Sequence, residues 1–189
     1  MVLTYKIILQ DFDNLPRHRY DTLTETIDPL HDRLALLNIS LRDHGLEYID
    51  VPRDGNCCFH AILYMLNQAT DYPWLIPDTA DDLRTQAVSS LRQHSNEMFE
   101  IDVLHSQLRE DYPSTESPLE SYCEQIERNG TYADDIIITA ISYLCNLQIS
   151  IIQHDGTCIC ISAHASDEFL YPLVIGSIRD VHFVAVAEL

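Results

Sequence analysis

The chain predicts an α+β fold, a small β-sheet flanked by helices, and three observations carry that expectation. Apolar residues recur at spacings of three and four through much of the first two thirds of the sequence, the pattern of one helix face. Runs rich in β-branched residues crowd the end of the chain. Between two of those runs stands Asp155-Gly156, the pair that closes a tight hairpin. Helices first and mostly strands late is the order expected when helices pack on a sheet.

The elements follow in order. Leu23, Ile27, Leu30, Leu34, Leu37 and Leu41 line one helix face, Gly45 is a terminator, and LEYIDV alternates as a short strand running into Pro52. RDGNCCFHAILYMLNQ opens with turn chemistry and continues with Phe59, Ile62, Leu63 and Leu66 at helical offsets, so Cys57 lies at a helix N-terminus. Thr79 with Asp82 caps a further helix that carries Leu83, Ala87, Val88 and Leu91. Residues 111–118 read as a surface loop, and LESYCEQIERN after them as a short helix. Thr131 and Asp134 suggest the cap of a helix lined by Ile137, Ala140, Ile141 and Leu144, and LQISIIQ, CICIS and DVHFVAVAEL supply the later strands.

A length of 189 residues suits one ordinary domain, which would bury roughly 70% of the surface its unfolded form exposes. Residues 1–20 read as an N-terminal extension and 21–189 as that domain. The formal charge of −19 repels a phosphate backbone, so nucleic acid is not an expected partner. No stretch of eighteen apolar residues occurs, which argues against a membrane partner, and MVLTYKIILQ lacks the basic start of a secretory signal. The expectation is an intracellular, cytoplasmic monomer whose six cysteines are free thiols.

The chemistry concentrates at Cys57. A thiol is nucleophilic as thiolate, and the unpaired N–H groups and aligned dipoles of a helix N-terminus favour that anion. The tight turn Asp54-Gly55-Asn56 just before it could aim backbone N–H groups at the oxyanion of an attacked carbonyl. A base must take the thiol proton. Of nine histidines, His18, His31, His44, His94 and His105 lie in polar surroundings that suit solvated imidazoles. His182, between Val181 and Phe183 where a strand begins, would be held rigidly beside the core. Taken alone, it reads more readily as a hydrogen-bonded core-edge histidine than as a catalytic base.

Asp54-Gly55-Asn56-Cys57-Cys58-Phe59 ahead of an apolar helix, with His182-Phe183 on the last strand, resembles the ovarian-tumour (OTU) cysteine proteases. Their pattern is Asp-Gly-(Asn/Asp)-Cys-x-(Phe/Tyr), and the likeness extends over roughly residues 30–189. The resemblance implies a papain-like fold and a deubiquitinase without cofactor. Cys57 would attack the isopeptide carbonyl after the C-terminus of ubiquitin or of a polyubiquitin chain, and His182 would be the base. Many members place Asp or Asn two residues after the histidine, but Val184 stands there, so the orienting role falls to Asp54, with Asp180 as substitute. Tyr132-Ala133 replaces the usual Trp-Gly, and His60 a common Arg. Val184 and the Tyr132-Ala133 turn motivate an alternative, a catalytically impaired ubiquitin-binding module of the same fold. Acyl transfer to an amine through the same Cys-His pair is a third reading.

The remaining Cys and His need no metal. His154, Cys158, Cys160 and His164 form the densest cluster, but alternation puts Cys158 and Cys160 on one face, where two buried small residues account for them, and the chain has no CxxC pair.

Overall fold

A computed structural model describes residues 29–163, 170–179 and 181–189. The expectations for residues 1–28, including the extension and the Leu23–Ile27 part of the first helix, lie outside the described residues. In chain order the elements are α1 (Pro29–Arg42), β1 (Leu46–Ile49), α2 (Cys57–Gln68), α3 (Ala80–Met98), α4 (Ile101–Asp111), α5 (Pro118–Ile126), α6 (Asp135–Leu144), β2 (Leu147–Gln153), β3 (Cys158–Ile161), β4 (Tyr171–Ile178) and β5 (His182–Glu188).

The strands form one sheet in the order β1-β5-β4-β2-β3. Only β2 and β4 run parallel; the other pairs are antiparallel. Side-chain alternation divides the sheet between two layers. On β5, Phe183 and Ala185 join the main core with α2, α3 and α6, whereas Val184 and Val186 face the other way, against Leu37 and Leu41 of α1. On β4, Leu173 and Ile175 belong to the first layer and Val174 and Ile178 to the second. A sheet covered on both faces by helices is the α+β sandwich the sequence predicts.

Local chemistry explains most boundaries. Thr79 Oγ1 accepts the Asp82 N–H to start α3, and Asp134 Oδ1 accepts those of Ile136 and Ile137 to start α6. Two elements have no counterpart in the sequence reading. α4 buries only Leu104 and Leu108, too narrow a stripe to stand out. β4 is a central strand that contains Pro172 and Gly176, residues that argue against a strand, and it is buried too continuously to alternate. The pair Cys158 and Cys160 departs from expectation as well. They lie on the edge strand β3, Cys158 half-buried and Cys160 exposed. His164 lies outside the described residues.

Candidate active site

Cys57 is the first residue of α2, and its side chain is buried. Asn56 occupies the N-cap position but makes no side-chain cap hydrogen bond, so it leaves the first helical N–H groups to other acceptors. The turn ahead of it is held locally. The Asn56 N–H donates to Asp54 Oδ1 at 2.9 Å, and Asp54 Oδ2 pairs with His60 Nε2 at 3.2 Å. Gly55 between them has φ of +81°, and a Cβ there would stand 2.0 Å from the Gly130 carbonyl oxygen. Only glycine fits this left-handed, backbone-to-backbone approach.

The Phe183 N–H donates to Cys57 Sγ at 3.4 Å. The sulfur therefore rests against the backbone N–H of Phe183, the residue that follows His182 at the start of β5. His182 is 2% exposed, and its Nε2 lies 2.8 Å from Asp50 Oδ1. Asp50 also accepts from the Val51 N–H and from Arg53.

This geometry corrects the expectation for Asp54. Its carboxylate serves the Asn56 N–H and His60, and the carboxylate at His182 is Asp50. Asp180 lies outside the described residues. The physical reason is strand register. β1 pairs with β5 up to Ile49↔Ala185, and one further step sets Asp50 across from Val184, on the face that His182 shares. His182 and Asp50 are then diagonal cross-strand neighbours, within side-chain reach. Val184 is fully buried and packs over Gly176, so a polar partner two residues after the histidine has no room.

The expectation for the turn is also refined. The Asn56 N–H is turned to Asp54 rather than to the cleft, and the Asn56 side chain bonds Asn129 Oδ1 at 2.6 Å through Nδ2 and Arg84 at 2.6 Å through Oδ1. Gly55 holds the turn in shape, and the first turn of α2, which begins at Cys57, has no side-chain cap. Sequence reasoning missed Asp50, Arg84, Asn129 and Gly130. For Arg84 there was a signal, because it lies four residues before Val88 and seven before Leu91, on the buried stripe of α3.

Electrostatics distinguish the adjacent thiols. Burial pushes the Cys57 thiol above its ordinary value, with a smaller push from the Asp54 charge, while the N–H groups of Phe183, Cys58 and Cys57 itself pull the other way without cancelling it. Cys58 is fully enclosed, and burial drives its thiol much further up, so it stays neutral. Burial would also raise Asp50, but the hydrogen bonds from His182 and Arg53 outweigh it and hold that carboxyl below its usual value.

Residues 52–173 match the family model described as OTU-like cysteine protease. The chain belongs to this family. A fission yeast (Schizosaccharomyces pombe) protein named ubiquitin thioesterase otu2 is 28% identical over 116 residues, which cover 61% of this chain and 35% of that relative. The match thus spans about a third of the relative's length. Among solved structures, the OTU domain of OTUD1 superposes with a TM-score of 0.59 at 14% identity, covering 82% of this chain and 95% of that one. The viral OTU protease from Farallon virus gives 0.57 at 21% identity, covering 79% and 88%. An OTU domain solved in complex with ubiquitin gives 0.54 at 20% identity, covering 75% and 69%. The fold is the papain-like fold of OTU domains.

Within this OTU domain the Tyr132-Ala133 turn is part of the same wall. Tyr132 stacks on Phe183 with ring centroids 5.3 Å apart, and Ala133 is buried. Beside that pair opens a cleft of about 540 Å³, lined in part by Asp111, Asp134, Asp135 and Arg179. No helix among the described residues is long and apolar enough to cross a membrane.

Proposed function

We propose that this OTU domain is a thiol-dependent deubiquitinase, hydrolysing the isopeptide bond after the C-terminus of ubiquitin. The observation that carries the reading is the chain of contacts Cys57 to the His182-Phe183 peptide and His182 to Asp50. The family match and the name of the yeast relative support the same chemistry.

In this reading the roles follow from the atoms. His182 presents Nε2 to Asp50, which leaves Nδ1 for the Cys57 proton. Because burial raises the thiol, the resting enzyme keeps Cys57 protonated, and proton transfer to His182 accompanies attack. The thiolate adds to the isopeptide carbonyl, and the oxyanion forms at the uncapped start of α2, beside the Cys57 N–H. His182 then protonates the departing lysine amine, leaving ubiquitin as a thioester on Cys57. Water, deprotonated by the same imidazole, releases it. Asp50 positions the ring and stabilises its cationic form.

The cleft beside Tyr132 and Phe183 suits the arginine-bearing tail of ubiquitin through Asp111 and Asp135, which line it together with Arg179, while the Asp134 carboxylate is engaged by Tyr122 and the α6 cap. The alternative of an impaired ubiquitin-binding module drew on Val184 and on the Tyr132-Ala133 turn; Asp50, just past β1, answers the first motive, and the second stands. Incubating wild type and Cys57→Ala with a panel of ubiquitin dimers tests the reading. Cleavage by wild type alone supports it, and binding without cleavage by wild type would favour the impaired module.

A further inference from the structure

Arg84 is 1% exposed, and the oxygens that receive its hydrogen bonds are all uncharged. Its guanidinium donates to Ile126 O at 2.6 Å, Thr131 O at 2.7 Å, Asn56 Oδ1 at 2.6 Å and Gly55 O at 3.3 Å. It lies 4.2 Å over the Phe59 ring, and Nε has no partner. A buried cation without a carboxylate is costly, and one whose acceptors all belong to two loops has a placement to explain. One loop is the turn that leads into Cys57. The other, residues 126–132, carries Gly130 under Gly55 and Tyr132 against Phe183.

Burial works against the Arg84 charge, and among the neighbouring ionisable groups Asp81 supports it most, followed by Cys58, Asp54 and Cys57. Asp81 and Asp54 are exposed to solvent, which screens them, and Asp54 already has His60. Cys58 is held neutral by its burial. His182 has Asp50, which in turn has Arg53. Cys57 is the member of this set that is buried and gains charge during the reaction.

We propose that Arg84 is a positioning residue for Cys57: its buried cation favours the thiolate, and its fork of bonds clamps the nucleophile turn to the 126–132 loop. The proposal rests on Cys57 being the nucleophile. Arg is suited to both tasks, since a guanidinium keeps its charge when buried and reaches several acceptors at once, which an ammonium does not.

The test follows alkylation of Cys57 by iodoacetamide, located by peptide mass spectrometry, from about pH 6 to about pH 10. Wild type, Arg84→Met and Arg84→Lys are compared, alongside hydrolysis of ubiquitin bearing a fluorogenic leaving group. Arg84→Met should move the alkylation profile to higher pH, with slower labelling near neutrality. Arg84→Lys should keep the position of the profile while kcat falls and KM holds. A folded Arg84→Met with the wild-type profile overturns the electrostatic role, and Arg84→Lys with wild-type kcat overturns the clamp. Should Arg84→Met fail to fold, Arg84→Lys decides by the same criterion. Wild-type protein that alkylates normally but leaves ubiquitin intact would sink the proposed function while the alkylation arm still judges Arg84.

Discussion

Replacing Asp50 by Ala removes the carboxylate at His182, and with it the acceptor of the Val51 N–H and of the exposed Arg53. The lost contact is a 2.8 Å hydrogen bond to a group that turns cationic during the reaction. Such charge-assisted bonds contribute about 1.5–3 kcal/mol. The imidazole is buried but the Asp50 side chain is 48% exposed, so water competes for the ring and screens the charge. A loss of about 1–2 kcal/mol is the appropriate discount, which corresponds to a fall in kcat of roughly 5- to 30-fold. Asp50→Asn keeps an acceptor oxygen and loses only the charge, so its rate should lie between Asp50→Ala and wild type. Steady-state hydrolysis of ubiquitin with a fluorogenic leaving group reads all three, and thermal melting checks that the fold survives. An Asp50→Ala rate within about twofold of wild type would refute the assignment, because the bond would then contribute less than 0.5 kcal/mol or so.

Further outcomes follow from the same geometry. Because burial raises the Cys57 thiol above its ordinary value, its alkylation should keep increasing with pH past the range where a free thiol levels off, whereas a plateau near neutrality would contradict the resting protonation state. Gly55→Ala should lose more than about 3 kcal/mol in urea unfolding, since the left-handed conformation costs about 1–2 kcal/mol and the added Cβ must displace the Gly130 backbone; a change below about 1 kcal/mol would show that the turn yields freely. Val184→Asp should not rescue Asp50→Ala and should lower the melting temperature by several degrees, because it buries a carboxylate against Gly176 and Leu37. Recovered activity in that double variant would contradict the packing.

What the sequence could disclose depended on how local each feature is. The Asp54-Gly55-Asn56 turn and the apolar helix behind it are contiguous, so the address of Cys57 at the head of α2 was readable residue by residue. His182 was readable as a strand residue beside Phe183, although its role came only with the family resemblance. Asp50 was not readable. It meets His182 through the pairing of β1 with β5, a register set by elements more than a hundred residues apart that no local pattern announces. Asp54, adjacent in sequence to the nucleophile, was the natural but incorrect choice, because its short side chain is drawn to the Asn56 N–H two residues on. Arg84 shows the opposite failure. Its position on the apolar stripe of α3 was visible, yet an isolated arginine ordinarily reaches solvent. Strand β4 was hidden by Pro172 and Gly176, tolerated because one stands near the strand's start and the other makes room for Val184.

The most direct test mixes the protein with ubiquitin that carries an electrophile at its C-terminus and maps the adduct by mass spectrometry. A single ubiquitin attached to Cys57 in wild type and in Cys58→Ala, and none in Cys57→Ala, is the expected result. An adduct on Cys58 or any other cysteine, or none on folded wild-type protein, would contradict the thiol at the head of α2 as the group that attacks ubiquitin.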